Sequence, residues 1–85
     1  MKSNAIPKWF KGMLYTEGAF VENPFSKEEY ELSAIELSIY DFIMGTQYVM
    51  SAAPNSVTPG QVADFRKAIN WFQKNNAEAY MVLLD

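Results

Sequence analysis

The chain has 85 residues, no cysteine, no histidine and a formal net charge of −3. That length holds one domain at most, and the two missing residue types exclude a disulfide framework, a thiolate nucleophile and a Ser-His-Asp set, along with the commonest transition-metal ligand. The seven acids of residues 13–58 face only Lys27, while three lysines lie in residues 1–12; an acidic middle with mildly basic ends lacks the footprint of a nucleic-acid binder.

Residues 1–12 read as an arm. Pro7 blocks a helix there, and the adjacent rings of Trp9 and Phe10 are expected to dock elsewhere. No apolar core and cleavage site of a signal peptide follow the basic start, and no apolar run approaches the ~18–20 residues that span a bilayer.

Residues 13–32 predict a β-hairpin. The first run, 13–22, is rich in aromatic and β-branched types, with Gly18 as a bulge or bend. The second, Glu29-Tyr30-Glu31-Leu32, alternates cleanly. Between them, Asn23-Pro24-Phe25-Ser26 has the residue preferences of a type I turn. Asn23-Pro24-Phe25 also has the form of the ligand recognised by EH domains, but three residues recur by chance, and a turn is needed here in any case. A lone hairpin is marginally stable, so this one must lie on something.

Ser33-Ala34-Ile35-Glu36 is a capping box, which starts a helix over 34–52 closed by Pro54. Thr58-Pro59-Gly60-Gln61 opens a second helix over 59–74, ended by Asn75 and Asn76 through the left-handed conformation that asparagine tolerates. Residues 77–84 continue the apolar stripe of Val62, Phe65, Ile69 and Phe72 through Tyr80 and Leu83. This favours a short third helix over a strand. The fold expected for residues 1–85 is therefore a single α+β domain, an N-terminal hairpin packed on two long antiparallel helices with a short C-terminal segment.

The first helix has two apolar faces. Ile35, Ile39, Phe42, Ile43, Val49 and Met50 share one, and Leu37, Tyr40, Met44 and Tyr48 form a second, nearly opposite. A polar seam of Ser38, Asp41 and Gly45 runs between them on one side. A helix apolar on both sides is covered on both sides. Either the hairpin and the second helix cover it from within, or the Leu37/Tyr40/Met44/Tyr48 stripe meets a second copy of the chain, since Tyr and Met are enriched at interfaces and twofold dimers are the commonest closed assembly. Trp71 falls near the charged side of the second helix; it is either covered by Trp9 and Phe10 or is an anchor for a partner.

The five glutamates of residues 21–36 (Glu22, Glu28, Glu29, Glu31 and Glu36) look like a cluster but read as turn, strand edge and cap. A carboxylate pair working on a glycoside needs a cleft and a raised pKa. Asp41 is expected to hydrogen-bond a tyrosine or Arg66. No phosphate loop and no calcium loop is present. No catalytic, metal or cofactor residue is therefore assigned, and the expected partners are a second copy or another protein, not nucleic acid and not a membrane.

The order NPFS, then ELSAIELSIYDFIMG, then WFQKNNAEAYMVLLD resembles small uncharacterised proteins of marine T4-like cyanophages and marine metagenomes, over residues 13–85. The resemblance implies no activity, catalytic residue or cofactor. It implies a place in an infected bacterial cytoplasm or a virion. The function expected on these grounds is a non-enzymatic oligomeric or protein-interaction module. The alternative is an acidic inhibitor or mimic that offers the 22–36 glutamate ridge to a basic host protein.

Overall fold

The computed structural model describes residues 6–10 and 12–84; the expected arm lies outside the described residues at 1–5 and 11. Strand β1 (Ala19–Glu22) pairs with β2 (Glu29–Leu32), helix α1 (Ala34–Ala52) follows, a single 3-10 turn (Pro54–Ser56) leads to α2 (Pro59–Asn75), and α3 (Ala77–Leu83) closes the order. This is the expected α+β architecture, with a helical C-terminal segment.

The hairpin is shorter than its sequence signal. Residues 13–17 form no strand, because the chain there is drawn down onto α1, where the Tyr15 N–H donates to Ser38 Oγ at 2.8 Å. Gly18 is the point of close approach. A Cβ on it would collide with the carbonyl oxygen of Leu32. Gly18→Ala is accordingly expected to lower stability by about 1–3 kcal/mol through forced backbone movement, seen as a lower urea midpoint; an unchanged midpoint would show that β1 can shift aside.

The antiparallel register sets Ala19 opposite Leu32, Phe20 opposite Glu31, Val21 opposite Tyr30 and Glu22 opposite Glu29. Residues directly opposite share a face. Ala19, Val21, Tyr30 and Leu32 therefore share the inner face, while Phe20, Glu22, Glu29 and Glu31 share the outer one. Leu32 is 1% exposed and Phe20 66%, which is the contrast that register produces.

Both predicted capping boxes form. Ser33 Oγ accepts from the Glu36 N–H while the Glu36 carboxylate accepts from the Ser33 N–H, and Thr58 and Gln61 repeat the arrangement at α2. These reciprocal bonds satisfy donors that a helix start otherwise leaves open. Between α2 and α3 the sequence expectation needs correction. Asn76 is not left-handed; it adopts φ −155°. Its N–H donates to Phe72 O while its Oδ1 accepts from the Ala79 N–H. One residue thus ends α2 and caps α3.

α2 packs back against α1, and α3 turns to pack against β2 and α2. The core where they meet holds Phe72, Ile39, Ile43, Leu32, Ala68 and Ala79. A polar node sits beside it. Glu36 and Asn76 are both buried; Asn76 Nδ2 donates to Glu36 Oε2 at 3.0 Å, and the Tyr30 hydroxyl donates to Glu78 Oε1 at 3.1 Å and lies 3.4 Å from Asn76 Oδ1. Side chains of β2, α1, α3 and the α2–α3 junction are joined there by hydrogen bonds that no apolar packing would specify.

Candidate functional site

α1 divides the residues of the expected interface stripe. Leu37 and Met44 are half-buried and pack on the core, Tyr40 is 8% exposed within it, and Tyr48 is 73% exposed. Trp71 on α2 is half-buried, edge-to-face on Phe72 with ring centroids 5.4 Å apart. In the arm, Phe10 is buried and meets Phe42 of α1 edge-to-face, with ring centroids 5.7 Å apart. The stripe residue left exposed is therefore Tyr48, one helical turn on from the half-buried Met44.

The hairpin tip comes to this place. Asn23 Oδ1 accepts from the N–H groups of Phe25 and Ser26, at 2.8 and 3.2 Å, and Asn23 Nδ2 donates to the Val82 carbonyl of α3 at 2.9 Å. The loop closes with Lys27 in the left-handed region at φ 67°. One asparagine thus shapes the turn and moors it to α3. Phe25 is left 92% exposed, and Pro24, Phe25, Met44, Gln47 and Leu84 surround a depression of about 150 Å³.

A second concavity lies over the seam that separates the two apolar faces of α1. Met13, Asp41, Phe42, Gly45, Val49 and Gln61 border a groove of about 390 Å³, within the ~300–1,000 Å³ common for binding pockets. Ser38 also borders it, but its hydroxyl is committed: it donates to Ala34 O and accepts from the Tyr15 N–H. Asp41 is exposed. The expected hydrogen bond of Asp41 to a tyrosine or to Arg66 is not made among the described residues; Asp41 stands at the groove, with no second carboxylate among its described lining. The described lining thus offers apolar walls and one carboxylate. Among the described residues no group of three or more His, Cys, Asp or Glu could hold a metal ion, and no helix is long and apolar enough to cross a membrane.

The hydroxyls of two tyrosines are perturbed. Burial pushes the Tyr40 hydroxyl above its usual value of 10.0, and the Asp41 carboxylate adds to the shift. Tyr30 is raised by desolvation, then by the hydrogen bond to Glu78. An acid whose folded pKa is raised stabilises the fold below its unfolded pKa and loses that contribution as pH climbs through the folded value. The contribution of these two tyrosines should thus be level up to about pH 10 and fall above it. Tyr40→Phe should flatten that alkaline fall in a denaturation series; an unchanged slope would assign it to other groups.

Comparison with known proteins returns no matching family model, no matching curated protein and no matching solved structure. The site must therefore be read from its own chemistry. Two of its residues carried a muted signal in the sequence. Phe25 belongs to the turn signal, but a large apolar ring in a polar loop is itself a signal. Gly45 falls in the polar seam of α1, where a glycine inside a helix costs about 1 kcal/mol relative to alanine.

Proposed function

We propose that this chain is a non-enzymatic protein-interaction module that self-associates as a dimer through the surface formed by Pro24, Phe25, Met44 and Tyr48, with Leu84 at its edge. One observation carries the reading. Two large aromatic side chains, Phe25 of the hairpin loop and Tyr48 of α1, stand 92% and 73% exposed; Phe25 shares a depression with Met44, and Tyr48 lies one helical turn on from Met44, in a chain whose other means of stabilisation are few. Exposed apolar patches rimmed by polar residues mark interaction sites, and small domains lacking disulfides and metals often gain stability by oligomerising. The proposed setting for such a dimer is an infected bacterial cytoplasm or a virion, a reading supported by the resemblance to cyanophage proteins. Met44→Glu and Tyr48→Glu test it by sedimentation equilibrium. Each should convert a dimer to monomer, weakening association by about tenfold or more; a dimer indifferent to both changes would place the interface elsewhere.

A second reading has one specific observation in its favour. The hairpin register gathers Glu22, Glu29 and Glu31 around Phe20 on the outer face, an arrangement suited to a basic protein partner. Glu36 leaves the expected ridge, since it is 4% exposed and bonded to Ser33 and Asn76. Binding by this face would weaken steeply with salt, whereas the apolar dimer would not.

A further inference from the structure

We propose that the dimer is built by insertion: the hairpin tip of each copy enters the α1 groove of the other, with Phe25 filling the apolar space over Gly45 and Lys27 pairing with Asp41. The inference rests on the self-association reading above and names the surface that receives the tip.

The groove has a shape its own chain does not require. Gly45 lies in the interior of α1, where glycine is unfavourable, and a Cβ placed on it would meet no atom within 4 Å. No internal contact therefore explains the missing side chain. What the glycine does is keep open the floor of a groove of about 390 Å³, which is room for one aromatic ring with space beside it. Phe42 and Val49 supply apolar walls, and Asp41 supplies one carboxylate.

The tip has the complementary chemistry. Phe25 is a protruding ring, and its backbone is fixed by the two bonds to Asn23 Oδ1, so little freedom remains to be lost on docking. Lys27, two residues on, is the only cation of residues 13–58. Neither Lys27 nor Asp41 has an ion-pair partner in its own chain among the described residues. A ring beside a cation on one surface and an apolar groove beside a carboxylate on the other match in both polarity and charge.

Tip and groove are different surfaces, so one insertion alone would propagate into an open chain, while two related by a twofold axis close a dimer. Their placement on α1 favours closure. Met44 touches the tip depression and Gly45 floors the groove, and the helical period sets Tyr48 on the face between them. Reciprocal insertion would cover Met44 and Tyr48 at the same time.

The test is complementation between two defective copies. Phe25→Glu removes the ring and keeps the groove; Gly45→Leu fills the groove and keeps the tip. Both positions are exposed, and circular dichroism confirms the fold of each variant. Each alone should lose at least about tenfold in dimer affinity. An equimolar mixture should recover mixed dimers, since one intact tip then meets one intact groove. As a second arm, Lys27→Glu and Asp41→Lys should each weaken the dimer, and the double variant should restore it. A dimer that survives Phe25→Glu or Gly45→Leu, or a mixture that stays monomeric, overturns the insertion while leaving self-association standing if Tyr48→Glu still dissociates the wild type. A wild type that is monomeric throughout overturns both.

Discussion

Asn76→Ala is expected to lower the unfolding free energy by about 2.5–4 kcal/mol, the sum expected for a helix cap and one hydrogen bond to a buried charged group. The asparagine holds three positions at once. Its Oδ1 caps α3 through the Ala79 N–H, its Nδ2 donates to the buried Glu36 carboxylate, and it lies within reach of the Tyr30 hydroxyl. Losing the cap alone costs about 1 kcal/mol. The larger share comes from Glu36, a residue only 4% exposed, which keeps its bond from the Ser33 N–H but loses a donor that bulk water does not readily replace. A chain of this size has a total stability of roughly 4–13 kcal/mol at ~0.05–0.15 kcal/mol per residue, so the melting temperature should fall by roughly 15–30 °C. Ser33→Ala is the matched control. It removes the Oγ bond from the Glu36 N–H and should cost only about 1 kcal/mol. Thermal melts of the two variants decide the matter: equal losses would mean that the node does not tie the elements together.

Phe72→Ala has a comparable expected effect from a different cause. Phe72 is fully buried and belongs to the apolar core that α1, α2, α3 and β2 share. It also takes the edge of Trp71 at 5.4 Å. Truncation removes the ring's burial and leaves a cavity, about 3–5 kcal/mol together. A core this small has little capacity to collapse into the gap. The variant should therefore melt far below the wild type, and chemical denaturation should give a clearly reduced midpoint. A loss under about 1 kcal/mol would show the surrounding residues relaxing into the space.

These two residues differ in how visible they were beforehand. Phe72 stands on the apolar stripe of α2, and its place in the core follows from helical spacing. The limits of α1 and the starts of both long helices were equally legible, because caps and prolines act locally. Asn76 was legible only as a helix end. Its bond to Glu36 crosses 40 positions of sequence, and nothing local announces such a pairing. Residues 13–17 failed as a strand for a similar reason. Their composition favours β structure, but the Ser38 hydroxyl offers the Tyr15 N–H a partner on α1, and tertiary context overrides propensity. At the candidate site, Met44 and Tyr48 were visible as part of a stripe. The burial of Tyr40 within that stripe was not, because it depends on which way α2 and α3 fold back. Phe25 and Gly45 were present in the sequence without a role, since the role of each appears only when the tip and the groove can be placed.

Self-association is tested most directly by the solution mass of the wild-type chain, measured by light scattering over a dilution series at low and high salt. Twice the chain mass, held at high salt and lost only on dilution, is the result that apolar insertion of Phe25 and burial of Tyr48 require. A single chain mass at every concentration and salt would contradict it, and would leave the exposed aromatic residues and the acidic hairpin face as surfaces for a foreign protein.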